Sequence, residues 1–467
     1  MTTSPSSSPI SFPISLVGDE LTAPCLDGVE RRYLSLDSAA STPALPAVAQ
    51  RVTDFVPWYS SVHRGAGYKS QMATDAYEEA REAAITFAGR ADRDDVAIIV
   101  RNTTEAINHL AYRLSLGPDD VVVTTVAEHH ANLLPWSRSR AARRYIECDV
   151  HGRFSLEDVT AALDAGPTPR LLAITAATNV TGWLPPIDAI VEAAHARGVP
   201  VMVDAAQLAA HRPLPVSPDF IAWSGHKMYA PFGAGILVGP RSAFADGDPF
   251  LAGGGAVDLV DLDEVIWTDP PEREEAGSPN VIGAVALHAA IDELTQLGWD
   301  AIIEHEQELT ARLRSGVAAL PGVRLLGPPL DEPTLAIATF VIEGVPHALA
   351  AARLSAEFGI GVRHGCFCAH PYLTRLLGLS EAEVAAYRTD VLAGDRTKIP
   401  GAVRASCGLS TTVADVDRFL GAVAHIAHEA PPVPYHQDAT TGDFWPGDES
   451  APWSTRNRDL GGSCARG

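Results

Sequence analysis

Two short segments hold the residue types that most narrowly limit the chemistry. Asp204 lies in Val203-Asp204-Ala205-Ala206-Gln207, which closes one apolar run, and Lys227 ends Ser224-Gly225-His226-Lys227 after the next. A carboxylate at the end of an apolar strand is costly to bury unless a cation meets it. A protonated pyridine nitrogen meets that need, and a lysine amine nearby can form a Schiff base. Either residue alone reads as a structural Asp or a surface Lys; the pair, one βα excursion apart, points to pyridoxal 5'-phosphate. Asp204 then keeps the ring protonated, so that it withdraws electrons from a substrate carbanion.

Further segments fit the same cofactor. Gln207, one turn beyond Asp204, can donate to the ring's phenolic oxygen, and Ser224 and His226 bracket the turn where donors reach a phosphate. Arg101-Asn102-Thr103-Thr104-Glu105 offers hydroxyls and free N–H groups at a helix start, with Thr104 the candidate phosphate ligand and helix capping the plain alternative. In Glu128-His129-His130-Ala131-Asn132, one imidazole can stack on the pyridine ring and keep a nitrogen for proton transfer. Adjacent histidines point in different directions, so only His129 is assigned there, with a purely structural role as the competitor. Asn179 can bridge the phenolic oxygen and a substrate carboxylate, or form an Asx turn. Arg404 is a candidate clamp for an amino-acid carboxylate, against the ordinary reading of a solvated arginine.

These residues need a frame, and the chain supplies strand-then-helix alternation. Apolar runs at 97–100, 121–126, 171–175, 201–204, 220–223 and 235–238 have strand length, and helical spacing appears at Ile107, Leu110, Ala111 and Leu114 and at Ile187, Ile190, Val191 and Ala194. This predicts an α/β protein whose large domain, residues 50–295, has a mostly parallel sheet. Beyond Asn280, helices at 281–297, 305–317, 348–358 and 413–430 and strands at 323–326 and 335–342 indicate a smaller α+β domain over 296–430. Residues 1–49 are expected to join the smaller domain; the first 15 or so fray, and 431–467 form an irregular tail. Trp445 and Trp453 argue that this tail packs somewhere. In such a fold the site lies at the carboxyl ends of the strands, beside the second domain.

The bulk composition narrows the partners. The 467 residues carry 35 Lys and Arg against 58 Asp and Glu, a formal charge of -23, which disfavours nucleic acid and anionic membrane. There is no uninterrupted apolar stretch of membrane-spanning length and no basic-then-apolar leader, so the expected location is cytoplasmic. Six cysteines are sparse for this length and do not suggest a disulfide framework.

Taken in order, Asp37-Ser38-Ala39-Ala40, His63-Arg64-Gly65, the segments around Thr104, His129, Asp204 and Lys227, Gly277-Ser278-Pro279-Asn280, Cys368-Ala369 and Arg404-Ala405-Ser406 resemble the class V aminotransferase family of fold-type I pyridoxal-phosphate enzymes. The likeness is greatest to the group II cysteine desulfurases and selenocysteine lyases, over residues 30–430. It implies that Lys227 holds the cofactor, Asp204 pairs with its ring nitrogen, Gln207 contacts its phenolic oxygen and His129 stacks on it. Thr104, Ser224 and His226 then bind phosphate, and Asn179 and Arg404 place the substrate carboxylate. It further implies a homodimer in which Ser278, where the family usually has Thr, reaches the partner chain's cofactor phosphate. The reaction implied takes sulfur from L-cysteine onto Cys368 as a persulfide, leaving L-alanine and passing sulfur to an acceptor protein.

The region around Cys368 departs from the family pattern. In Arg363-His364-Gly365-Cys366-Phe367-Cys368-Ala369-His370, a second thiol precedes the expected one, and a long stretch separates Cys368 from Arg404. The alternative reading that such an extension admits is a C–S lyase, aminotransferase or epimerase acting on a specialised amino acid or a larger cysteine conjugate. Arg363 and His364 are placed to favour a Cys368 thiolate. Zinc on the alternating His and Cys, a Cys366–Cys368 disulfide and simple burial of both thiols are the competing readings, and no metal site is assigned.

Overall fold

The computed structural model describes residues 12–63 and 65–447; Arg64, Trp453 and Cys464 lie outside them. Seven strands form the main sheet: β1 (Asp95–Val100), β2 (Val121–Thr125), β3 (Ala142–Ile146), β4 (Leu171–Thr175), β5 (Val201–Asp204), β6 (Phe220–Ser224) and β7 (Gly235–Pro240). Their spatial order is β1-β7-β6-β5-β4-β2-β3, with β7 antiparallel to both neighbours and the remaining pairs parallel.

The inner strands are buried on both faces because they are apolar at most positions, and alternate side chains feed two different cores. Val201 and Val203 join the core under helices Tyr68–Phe87, Ile187–His195 and Val281–Leu297. Met202 points the other way, into the core beneath helix Thr103–Arg113. Strand β3, of sequence ARRYI, carries no clear apolar run because it is an edge strand that exposes Arg143 and Tyr145.

A second sheet of β8 (Val323–Leu326), β9 (Ile337–Ile342), β10 (Arg363–Gly365) and β11 (Ala402–Ser406) is antiparallel, in the order β8-β9-β11-β10. Helices Trp299–Ala319, His347–Phe358 and Val413–His428 cover it, and Leu34 and Leu36 from the N-terminal segment enter its core. The α/β class with a mostly parallel sheet and a smaller α+β sheet is thus present.

The first and last described residues are tied into the fold. Phe12 stacks on His305 with ring centroids 4.4 Å apart, and the Ile14 N–H donates to the Leu409 carbonyl. The tail described as irregular contains a hairpin of Tyr435–Gln437 with Phe444–Pro446, turned at Asp438 and Gly442. Three-residue strands carry too few alternations to give a pattern, so the sequence conceals them.

Candidate active site

The carboxyl ends of β1, β2, β4, β5 and β6 meet the second sheet around a cavity of about 330 Å³. Thr104, His129, Asn179, Asp204, Gln207, Ser224, His226, Lys227, Cys368 and Arg404 all line it. Ser278 does not; it is exposed, at the start of helix Val281–Leu297. Gly235 is what lets β7 run beside this edge: a Cβ there would lie 2.5 Å from the Asn102 Cα.

Asp204 is 4 % exposed and accepts one bond, from the Ala206 N–H at 2.9 Å. Burial raises its pKa, while that N–H and the Lys227 charge act in the opposite direction. Desolvation in turn lowers Lys227 to about 8, with Asp204 resisting and Arg404 adding to the fall. A carboxylate and an amine held by so few partners are groups kept for a ligand rather than for each other.

The phosphate-side residues sit on built supports. Asn102 caps helix Thr103–Arg113 by accepting from the Glu105 N–H, so the capping role is taken and the Thr104 hydroxyl is not used for it. Ser224 Oγ accepts from the Thr103 N–H at 2.8 Å and shares a 2.7 Å bond with the Thr103 hydroxyl. If Thr103 donates in that pair, Ser224 keeps its own proton for another acceptor. His226 is lowered to about 4 by burial and by Lys227.

His129 Nδ1 accepts from the Ala131 N–H at 3.0 Å, which leaves the proton of a neutral ring on Nε2. Burial, helped by Lys227, His130 and Arg404, holds this ring near a pKa of about 3, so it is uncharged at neutral pH. His130 turns away and stacks on His370, centroids 5.0 Å apart and planes within 2°.

Two expected donors are already engaged. Gln207 Nε2 donates to the Ala39 carbonyl at 2.7 Å, and Asn179 Nδ2 to the Phe367 carbonyl at 2.6 Å. Each amide retains a second hydrogen, and Asn179 Oδ1 is buried without a partner. Arg404, 2 % exposed, donates to the Asn179 carbonyl at 2.8 Å and to Asp37 at 3.3 Å, and lies over the Phe367 ring. Burial lowers it to about 10, against the opposing pull of Asp37. Its Nε is buried and unpaired.

A profile of the aminotransferase class-V family matches residues 34–419. The chain belongs to the class-V aminotransferase family. It is 37 % identical over 366 residues to a cysteine desulfurase of Dickeya dadantii, covering 75 % of this chain and 87 % of that one. Among solved structures, it is similar to an apo cysteine desulfurase from Thermococcus onnurineus NA1, with a TM-score of 0.75, 30 % identity and coverage of 85 % and 94 % of the two chains. The Escherichia coli cysteine desulfurase CsdA follows at a TM-score of 0.71 and 31 % identity, over 84 % of this chain and 94 % of that chain.

In this class-V chain the Cys368 loop closes the cavity from the side of the second sheet. The Cys368 carbonyl accepts from the His130 N–H at 2.7 Å, and Phe367 and Cys368 both have φ of 54°. Arg363 lines the cavity with Cys368 and is paired with Asp37 at 3.0 Å, and His364 lies between His347 and Asp443. Lys227 and Arg404 are both close enough to sense a charge on Cys368. The four alternating His and Cys residues also disperse, His364 toward His347 and His370 toward His130.

Two functional supports have no clear signal in the sequence. Glu128 is fully buried, accepting from Thr125 Oγ1 and Asn132 Nδ2, both at 2.7 Å, and from the Thr175 N–H. Desolvation pushes it up to about 8 against those donors, and it ties the His129 loop to β4. Asp37 joins Arg363 and Arg404 across the cavity mouth. Beyond the Cys368 loop lies a larger chamber, about 790 Å³, walled by residues 377–379 and 396–401 and by the tail hairpin.

Proposed function

We propose that this protein is a pyridoxal-phosphate-dependent cysteine desulfurase that converts L-cysteine to L-alanine and takes the sulfur on Cys368. The observation that carries this is the placement of Cys368 in the same cavity as Lys227, Asp204 and Arg404. The polar groups of that cavity fit the cofactor. A sparsely partnered buried carboxylate, a neutral imidazole, an amine of lowered pKa and an unpaired Asn179 Oδ1 are what the chain leaves open. Lys227 would hold the cofactor covalently, Asp204 its ring nitrogen, and Thr104, Ser224 and His226 its phosphate. His129 would lie against the ring, and Gln207 and Asn179 near its phenolic oxygen.

When bound, the cofactor supplies an electron sink for the pairs released at the substrate. Asp204 keeps the proton on the ring nitrogen. Arg404 and Asn179 bind the substrate carboxylate, and the guanidinium is already oriented by the Asn179 carbonyl, Asp37 and Phe367. Lys227, whose amine is partly neutral near pH 8, moves the Cα proton. The Cys368 thiolate attacks the substrate sulfur; the S–S bond forms as the Cβ–S bond breaks, and protons return to the carbon skeleton as alanine. The reading includes a homodimer in which Ser278 serves the partner chain's phosphate, a cytoplasmic location and transfer of the sulfur to an acceptor protein. Among the described residues, no helix is long and apolar enough to cross a membrane.

Product analysis tests it. Cofactor-loaded enzyme with L-cysteine is expected to yield alanine and a persulfide on Cys368, and Cys368→Ala to keep the cofactor's Schiff-base absorbance while losing the persulfide. Pyruvate and ammonia as products would instead mark a C–S lyase and end the desulfurase reading.

A further inference from the structure

Cys366 and Cys368 stand two residues apart, yet they face different spaces. Cys368 is exposed and lines both the 330 Å³ cavity and the outer chamber. Cys366 is half-buried and lines the outer chamber alone. The residues that separate the thiols hold a costly backbone: left-handed φ at two successive non-glycine positions costs on the order of 1–3 kcal/mol each. The Asn179 and His130 bonds to the Phe367 and Cys368 carbonyls fix that turn from the cavity side, and the Ala369 N–H closes it onto the Cys366 carbonyl at 2.9 Å.

The outer chamber has its own character. In a chain of charge -23 its wall carries Arg324, Arg363, Arg396 and Lys398, and Asp443 is the one carboxylate lining it among the described residues. Burial raises the Cys366 thiol, with the backbone N–H groups of Cys368 and Ala369 acting in the opposite direction. Cations in a wall favour an anionic sulfur species in the space they line.

Resting on the desulfurase reading, we propose that Cys366 is a second sulfur station, which takes the terminal sulfur from the Cys368 persulfide and presents it in the outer chamber. The Cys366 thiolate attacks the outer sulfur of Cys368–S–SH. A new S–S bond forms on Cys366, the old one breaks, and Cys368 leaves with the electron pair and accepts the proton that Cys366 gave up. The exchange is redox-neutral and needs no co-reactant. It frees Cys368 for the next substrate while the sulfur waits away from the cofactor cavity.

The bond between Phe367 and Cys368 makes the test direct, because chymotryptic cleavage after Phe367 puts each cysteine on its own peptide. Cofactor-loaded enzyme is mixed with L-cysteine, quenched with iodoacetamide at successive times, cleaved and weighed by mass spectrometry. The extra sulfur is expected first on the Cys368 peptide and then on the Cys366 peptide. In Cys366→Ser it should stay on Cys368; in Cys368→Ser neither peptide should gain it. Sulfur confined to Cys368 in the unmodified enzyme at every time overturns the relay, as does sulfur reaching Cys366 in Cys368→Ser. No added sulfur on either peptide of the unmodified enzyme would sink the desulfurase reading, and the relay with it.

Discussion

Replacing Asp204 by Asn separates the two things this buried carboxylate does. The amide keeps the shape and can still accept from the Ala206 N–H, the only bond the carboxylate makes within the described residues. What it loses is the charge. An ion pair at ~4 Å in a site of effective dielectric ~20 is worth about 4 kcal/mol, so losing the pairing to a protonated ring should slow alanine formation about a thousandfold. Folding should move the other way. Burial raises the Asp204 pKa above the ordinary 3.8, so its favourable contribution is present below that value and is lost as pH rises through the folded-state pKa. At pH 7 the cofactor-free Asn variant should therefore melt at the same temperature as the parent or higher. The assay pairs alanine formation at saturating cofactor with thermal melts of the stripped proteins. Alanine formation within tenfold of the parent, with cofactor bound, would refute the assignment of Asp204 to the ring nitrogen; a marked loss of melting temperature would mean that the carboxylate is structural.

Two further outcomes follow from the cavity's electrostatics. With the free Lys227 amine titrating near 8, the rate of Schiff-base formation on adding pyridoxal phosphate to stripped enzyme should rise about tenfold per pH unit below 8 and level off above it; a rise continuing to the ordinary lysine range near 10.5 would contradict the desolvated amine. Arg404→Lys keeps a charge but loses the planar fork, so the KM for L-cysteine should rise about 10- to 100-fold, equivalent to about 1.5–3 kcal/mol for one charge-assisted hydrogen bond, while Schiff-base absorbance persists; an unchanged KM would remove Arg404 from the substrate carboxylate.

The legible parts of this protein were those with local causes. Strands Leu171–Thr175 and Val201–Asp204 and helix Val281–Leu297 announce themselves through continuous or periodic apolar residues, and the polar residues that end those strands mark the cavity. The illegible parts arise from partners distant in sequence. Strand Ala402–Ser406 is buried at every position, but its Arg404 hides it, because the arginine is tolerable there only beside Asp37, the Asn179 carbonyl and the Phe367 ring. Glu128 gives no sign of full burial: Thr125 and Asn132 are local donors, but the third is the Thr175 N–H on another strand. The sequence likewise gives no sign that Asp37 engages Arg363 or that His347 engages His364.

The outer chamber's wall is stitched from two stretches far apart in the chain. The Arg396 N–H donates to the Ala439 carbonyl, the Arg396 guanidinium to Thr440, and Gln437 Nε2 to the Thr397 carbonyl. Gly442 passes so close that a Cβ would sit 2.6 Å from the Arg396 oxygen. For anyone recombining such chains, residues 396–401 and 435–446 are therefore one transferable part. A chimera that receives the first stretch without the second keeps Cys366 and Cys368 but leaves the vestibule in front of them unfinished, with bare amides where its outer rim should be.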